Sequence, residues 1–90
     1  MNNTGQGAVF LDRDGTIIED RGHLRKPSEV AFLPESFKAL QELQKHFLLF
    51  IVTNQPGVAE GVITRKNVNS VNTHVITTIA GAGINICRVY

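Results

Sequence analysis

The sequence predicts an α/β fold, a doubly wound parallel sheet that stops after its third strand, and three observations predict it. Two continuous apolar runs, closing at Asp12 and at Asn54, each pass straight into polar turn residues. Strands buried on both faces of a parallel sheet read this way. Between them, Ser36 to His46 places Phe37, Leu40, Leu43 and Phe47 on a single helical stripe. Strand, helix and strand in that order imply a right-handed crossover, so both strand ends face the same way.

The elements follow in chain order. Residues 1–7 are polar and read as a disordered tail, with 8–90 forming the folded part. The first strand covers Ala8–Leu11, the first helix Ser36–His46 and the second strand Phe47–Thr53. Thr64 is placed to cap a second helix that runs to Ala82, with Val68, Val71, Val75, Ile79 and Ala82 at helical spacing. Its β-branched and Asn residues are mediocre helix formers, so it depends on packing against the sheet. Gly81 and Gly83 end it, and Ile84–Tyr90 forms the third strand with Cys87 expected to be buried and reduced. His74 lies at the border of the helical stripe, and His46 favours the dipole at the end of the first helix.

Composition narrows the function classes. The formal net charge is +1 with acids and bases interspersed, so no basic stripe marks a nucleic-acid footprint. The longest apolar stretch is too short to span a bilayer, and the polar start lacks an apolar signal core. A cytoplasmic protein without a membrane partner is expected. The single cysteine leaves no internal disulfide.

The chemistry concentrates at the two strand ends. Asp12 and Asp14 stand one residue apart and lead into Gly15 and Thr16. Acids this close repel and need a cation, a shared proton or a hydrogen-bond network. Mg²⁺ suits them, because it takes carboxylate oxygens together with substrate phosphate. A solvated Asp-Gly turn is the plain alternative. Thr53 and Asn54 at the same end of the sheet favour a site, since a hydroxyl and an amide can hydrogen-bond phosphoryl oxygens.

These residues resemble two known signatures. Phe10-Leu11-Asp12-Arg13-Asp14-Gly15-Thr16 is similar to the first signature of the haloacid dehalogenase superfamily of phosphatases. Thr53-Asn54-Gln55-Pro56-Gly57-Val58-Ala59 resembles the second, in the form seen among D,D-heptose 1,7-bisphosphate and histidinol-phosphate phosphatases. Gly22-His23-Leu24, Pro27-Ser28-Glu29-Val30 and Leu33-Pro34 resemble the loop of that subgroup, and the similarity runs from about Ala8 to Gly61 and weakly to Tyr90.

The resemblance implies a Rossmann-like core and a role for each matching residue. Asp12 would be the nucleophile, giving an aspartyl-phosphate. Asp14 would protonate the leaving oxygen and then take a proton from water. The Asp12 side chain and the Asp14 main-chain carbonyl would hold Mg²⁺, and Thr53 and Asn54 would align the phosphoryl group. Asp20, Arg21, Gly22 and His23 match the substrate loop, with His23 where a Tyr is usual, and Gln55 and Pro56 belong to the second signature. Arg13 would meet a second phosphate as a bidentate donor, or else be a solvated or salt-bridged surface residue.

The same resemblance implies missing parts. The bracing Lys or Arg, the acidic pair that completes the Mg²⁺ shell and the subgroup's Cys/His zinc loop are not recognisable, so 8–90 reads as an amino-terminal half. The expected substrate is a small sugar bisphosphate or histidinol phosphate. The alternatives are a polynucleotide 3′-phosphatase, which also resembles the chain at Asp-x-Asp-Gly-Thr and Thr-Asn-Gln, and a non-catalytic fragment. In that half fold the edge of Ala8–Leu11 would be open, which invites self-association and marginal stability.

Overall fold

The computed structural model describes residues 7–54 and 56–90, the side chains of Pro56 and Ala59 excepted. Strands β1 (Gly7–Asp12), β2 (Phe47–Val52) and β3 (Ile86–Val89) form one parallel sheet in the order β1-β2-β3. Helix α1 (Ser36–Leu43) connects β1 to β2, and α2 (Pro56–Ala59) and α3 (Arg65–Gly81) connect β2 to β3. This is the parallel, Rossmann-like arrangement expected. Gly7 already belongs to β1, whereas residues 1–6 lie outside the described part of the expected tail. No helix among the described residues is long and apolar enough to cross a membrane.

One face of the sheet carries the core. Leu49 and Ile51 of β2 pack with Ile17, Ile18, Leu24, Leu40, Ile84 and the α3 residues Val71, Val75 and Ile79. Their spacing brings one stripe of α3 onto the sheet despite weak intrinsic propensity. Thr64 caps the helix as expected: its hydroxyl accepts from the Asn67 amide at 3.0 Å, and Asn67 Oδ1 accepts from Thr64 N at 2.9 Å. Such a cap contributes about 1 kcal/mol.

The opposite face is uncovered among the described residues. Phe10 and Phe50 stack there at 4.8 Å between centroids, and Tyr90 lies 6.1 and 6.2 Å from them. The Arg88 guanidinium sits 5.1 Å from the Tyr90 ring centre. Among the described residues β1 is hydrogen-bonded to β2 alone within the sheet, so they leave its outer edge open.

Cys87 corrects an expectation: it is exposed, not buried. Leu49 pairs with Ile86 but Phe50 pairs with Arg88, so the register shifts and Cys87 has no opposite residue. An extra residue breaks strict alternation, and Cys87 and Arg88 both end up exposed. The helical and strand ends also move inward. α1 stops at Leu43, where the Gln44 side chain reaches across to Gly83 O at 2.9 Å and Asn85 N at 3.0 Å. That tie holds the turn before β3, which starts at Ile86 and not at Ile84.

The segment between β1 and α1 folds over the carboxyl end of the sheet. Glu19 N donates to Ala31 O at 2.7 Å, Leu33 N to Ile17 O at 3.1 Å and the Ser36 hydroxyl to Ile17 O at 2.7 Å. Glu29 Oε1 accepts from Arg25 N at 2.7 Å and Lys26 N at 2.9 Å. These main-chain donors, Arg25 first and then Lys26, hold the Glu29 carboxyl below its usual value.

Two expectations follow. Ile79→Ala, at a fully buried position, should cost about 2–5 kcal/mol in chemical denaturation. Because Glu29 has a lowered folded value, its contribution is complete above the ordinary glutamate range and disappears as pH falls through that lowered value. An NMR titration should therefore show the Glu29 carboxyl and the Arg25 and Lys26 amides shifting together, below the ordinary range. Glu29→Gln should abolish that transition.

Candidate active site

Asp12 is the last residue of β1 and pairs with Val52, the last residue of β2. The chain then turns sharply. Arg13 N donates to Val52 O at 3.1 Å, Ile17 N and Ile18 N both donate to Arg13 O at 3.0 Å, and Gly15 N donates to Ile18 O at 2.8 Å. Gly15 takes φ 83° to close this turn, a conformation that a Cβ would strain. The result carries both acids on a rigid loop at the carboxyl end of the sheet, where open α/β folds bind ligands.

A cavity of about 410 Å³ opens there, lined by Asp12, Arg13, Asp14, Asp20, Gly22, His23, Val52 and Asn54. Seven residues singled out from sequence thus share one wall with Val52. Asp20 Oδ1 accepts from Gly22 N at 3.2 Å, which shapes the loop at the rim. Arg21 is exposed and pairs with Glu19 at 2.8 Å. Gln55 lies outside the described residues, and Pro56 opens α2.

Thr53 goes elsewhere. Its amide and its hydroxyl both donate to Tyr90 O, each at 2.9 Å, and it lines a neighbouring cleft of about 720 Å³ with Arg65, Asn72 and Tyr90. Successive residues at a strand end point to opposite sides. Val52 and Asn54 therefore face the acids while Thr53 faces β3.

Arg13 departs from the surface position considered for it, being only 2% exposed. Its Nε and Nη2 donate to Asp14 Oδ1 and Oδ2 at 2.9 and 3.1 Å, and Nη1 donates to Asn72 Oδ1 at 2.8 Å. A buried guanidinium is tolerated when paired and hydrogen-bonded in this way. Asn72 was not singled out from sequence. The signal was there: four residues after Val68 and three before Val75, an amide occupies the apolar stripe of α3.

Among the described residues, no three His, Cys, Asp or Glu side chains gather into a metal cage. The smaller donor set fits Mg²⁺ nonetheless. Within the described residues nothing donates to the Asp12 carboxylate, and the hydrogen bonds of the turn leave the Asp14 carbonyl unused. One carboxylate and one carbonyl, completed by water and phosphate, suit this hard ion.

His23 and Gly57 were not linked by the sequence. A Cβ on Gly57 would lie 2.5 Å from His23 Nδ1 and 2.9 Å from Cε1, and His23 Nε2 is 4.0 Å from Glu60 Oε1. The rim loop therefore seats on α2 because position 57 has no side chain. Gly57→Ala should push the half-exposed ring off this seat while the sheet is retained. The His23 ring proton shifts should change with little movement of Leu49 and Ile51; unchanged His23 shifts would contradict the contact.

No protein-family profile matches the chain. It is 44% identical over 63 residues to the D-glycero-β-D-manno-heptose-1,7-bisphosphate 7-phosphatase of Haemophilus ducreyi, covering 69% of this chain and 35% of that protein. The D,D-heptose 1,7-bisphosphate phosphatase of B. bronchiseptica, crystallised with magnesium and phosphate, superposes with a TM-score of 0.83 at 27% identity over 93% of this chain and 48% of that one. A HAD-like phosphatase from Mesorhizobium loti gives 0.81 at 31% identity, over 89% of this chain and 39% of that one. The chain thus spans about a third to a half of the proteins it matches. Over the part of those relatives that it spans, this chain is similar in sequence and in fold to haloacid dehalogenase-like phosphatases of the heptose bisphosphate phosphatase kind.

Proposed function

We propose that the chain serves a Mg²⁺-dependent phosphomonoester hydrolase that works through an aspartyl-phosphate on a small sugar bisphosphate, with histidinol phosphate as the second candidate substrate. One observation carries this: the Asp12 carboxylate, with no donor among the described residues, lines the same cavity as Asp14 and Asn54. The names of the relatives support a sugar bisphosphate. Because the chain spans half or less of their length, the activity is proposed for the protein in its native form.

In this mechanism an Asp12 oxygen attacks phosphorus and the bond to the substrate oxygen breaks. Asp14 gives that oxygen a proton, then takes one from a water that attacks the phosphorus of the acyl phosphate. Inorganic phosphate leaves and the Asp12 carboxylate returns. The Asn54 amide donates to a phosphoryl oxygen, and Thr53 would join it only through a reorientation of the backbone after β2 that breaks both of its bonds to the Tyr90 carbonyl. Bound Mg²⁺, held by the Asp12 side chain and the Asp14 carbonyl, would supply charge neutralisation.

Asp20, Gly22 and His23 at the rim would contact the sugar, with Arg21, Gln55 and Pro56 on the flanking loops. A cytoplasmic location accompanies a phosphorylated metabolite as substrate. The open edge of β1 belongs to the same proposal as a surface for pairing with a further strand.

The test is hydrolysis of heptose 1,7-bisphosphate, histidinol phosphate and a 3′-phosphorylated oligonucleotide by the native protein, with and without Mg²⁺. Turnover should be greatest on one of the two metabolites and vanish on chelation. Asp12→Asn should abolish it and Asp14→Asn should lower it by about 10²–10⁴-fold, with circular dichroism unchanged. Turnover surviving in Asp12→Asn would end the nucleophile assignment, and preference for the oligonucleotide would reverse the substrate class.

A further inference from the structure

We propose that Arg13 and Asn72 are positioning residues, a clamp through which helix α3 fixes the orientation of the Asp14 carboxylate. The inference rests on the reading of Asp14 as the proton-transferring group and assigns what holds it in place.

Adjacent residues of a strand point to opposite faces, so Arg13 and Asp14 could not meet in a continuous strand. They meet because Arg13 O accepts both Ile17 N and Ile18 N, which folds the chain at this point. The fork then engages both Asp14 oxygens, at 2.9 and 3.1 Å. Two parallel bonds to one carboxylate remove its freedom to rotate, which a lysine ammonium cannot do.

A clamp needs a fixed base, and the third nitrogen supplies it. Nη1 reaches Asn72 Oδ1 at 2.8 Å, 59 residues away in sequence. Asn72 cannot drift, because Val71, Val75 and Ile79 of the same helix are fully buried in the core. As a neutral acceptor it satisfies the guanidinium without competing with Asp14 for its charge. All three nitrogens of Arg13 are engaged and the side chain is 2% exposed. The guanidinium is therefore built into the wall and not extended toward a ligand.

The test is steady-state kinetics of the native protein carrying Arg13→Lys, Asn72→Leu or Asn72→Asp, on whichever phosphate substrate the wild type hydrolyses. Arg13→Lys and Asn72→Leu should lower kcat about 10- to 100-fold at constant KM, as small misplacements of a reacting group do. Asn72→Asp keeps an acceptor oxygen but adds a charge that competes with Asp14 for the guanidinium, so it should recover only part of that loss. An unchanged kcat in Asn72→Leu would overturn the clamp. So would a selective rise in KM for a bisphosphate in Arg13→Lys, which would make Arg13 a substrate contact. If Arg13→Lys does not fold, the pair at the half-buried Asn72 decides. A wild type with no turnover would overturn the functional reading alone. NMR then decides the clamp: Arg13 Nη protons protected from exchange in wild type and released in Asn72→Leu support it, and equally fast exchange in both overturns it.

Discussion

The parallel register of β1 on β2 is the constraint from which the site follows. With Asp12 opposite Val52, the acid loop and the residues after β2 emerge at one end of the sheet. A slip of one residue would send Asp12 toward the core and Leu11 outward, since the side-chain period of a strand is two. The slip is resisted by Leu49 and Ile51, which must stay on the covered face, and by the bond from Arg13 N to Val52 O at 3.1 Å. Packing and the first hydrogen bond beyond the sheet therefore specify the same register. The same period separates Asn54, on the acid side, from Thr53, on the side of β3.

Charge in the site is organised unequally. Asp12 is exposed and free of donors from the described residues, while Asp14 is gripped by a buried cation. Two carboxylates one residue apart thus occupy different surroundings, a separation that suits two different tasks. The pairing of Arg13 with Asp14 also relieves the repulsion that would otherwise drive the acids apart.

Much of the fold was legible in the sequence. The apolar runs marked β1 and β2, the stripes marked α1 and α3, and Thr64 marked the start of α3, because each signal is local and periodic. The ends of α1 and β3 were not legible, since a Gln44 side chain that ties two distant turns leaves no pattern in either. The acids were legible from their spacing and resemblance. The burial of Arg13 was not, because a lone arginine beside two acids reads as solvated until a helix from the other half of the chain is seen to meet it. Cys87 turned outward through a register shift that depends on three-dimensional pairing, and the contact between His23 and Gly57 joins two loops with no shared motif.

The aromatic face of the sheet has a spectroscopic consequence. Tyr90 is the only tyrosine and the chain has no tryptophan, so emission excited beyond the phenylalanine absorption comes from one ring. That ring sits beside Phe10 and Phe50 and beneath the Arg88 guanidinium, and its main-chain oxygen receives both bonds from Thr53. Emission from Tyr90 therefore samples the uncovered face and the end of β2 at once. The molecule carries its own optical probe one residue away from the asparagine that faces the acids.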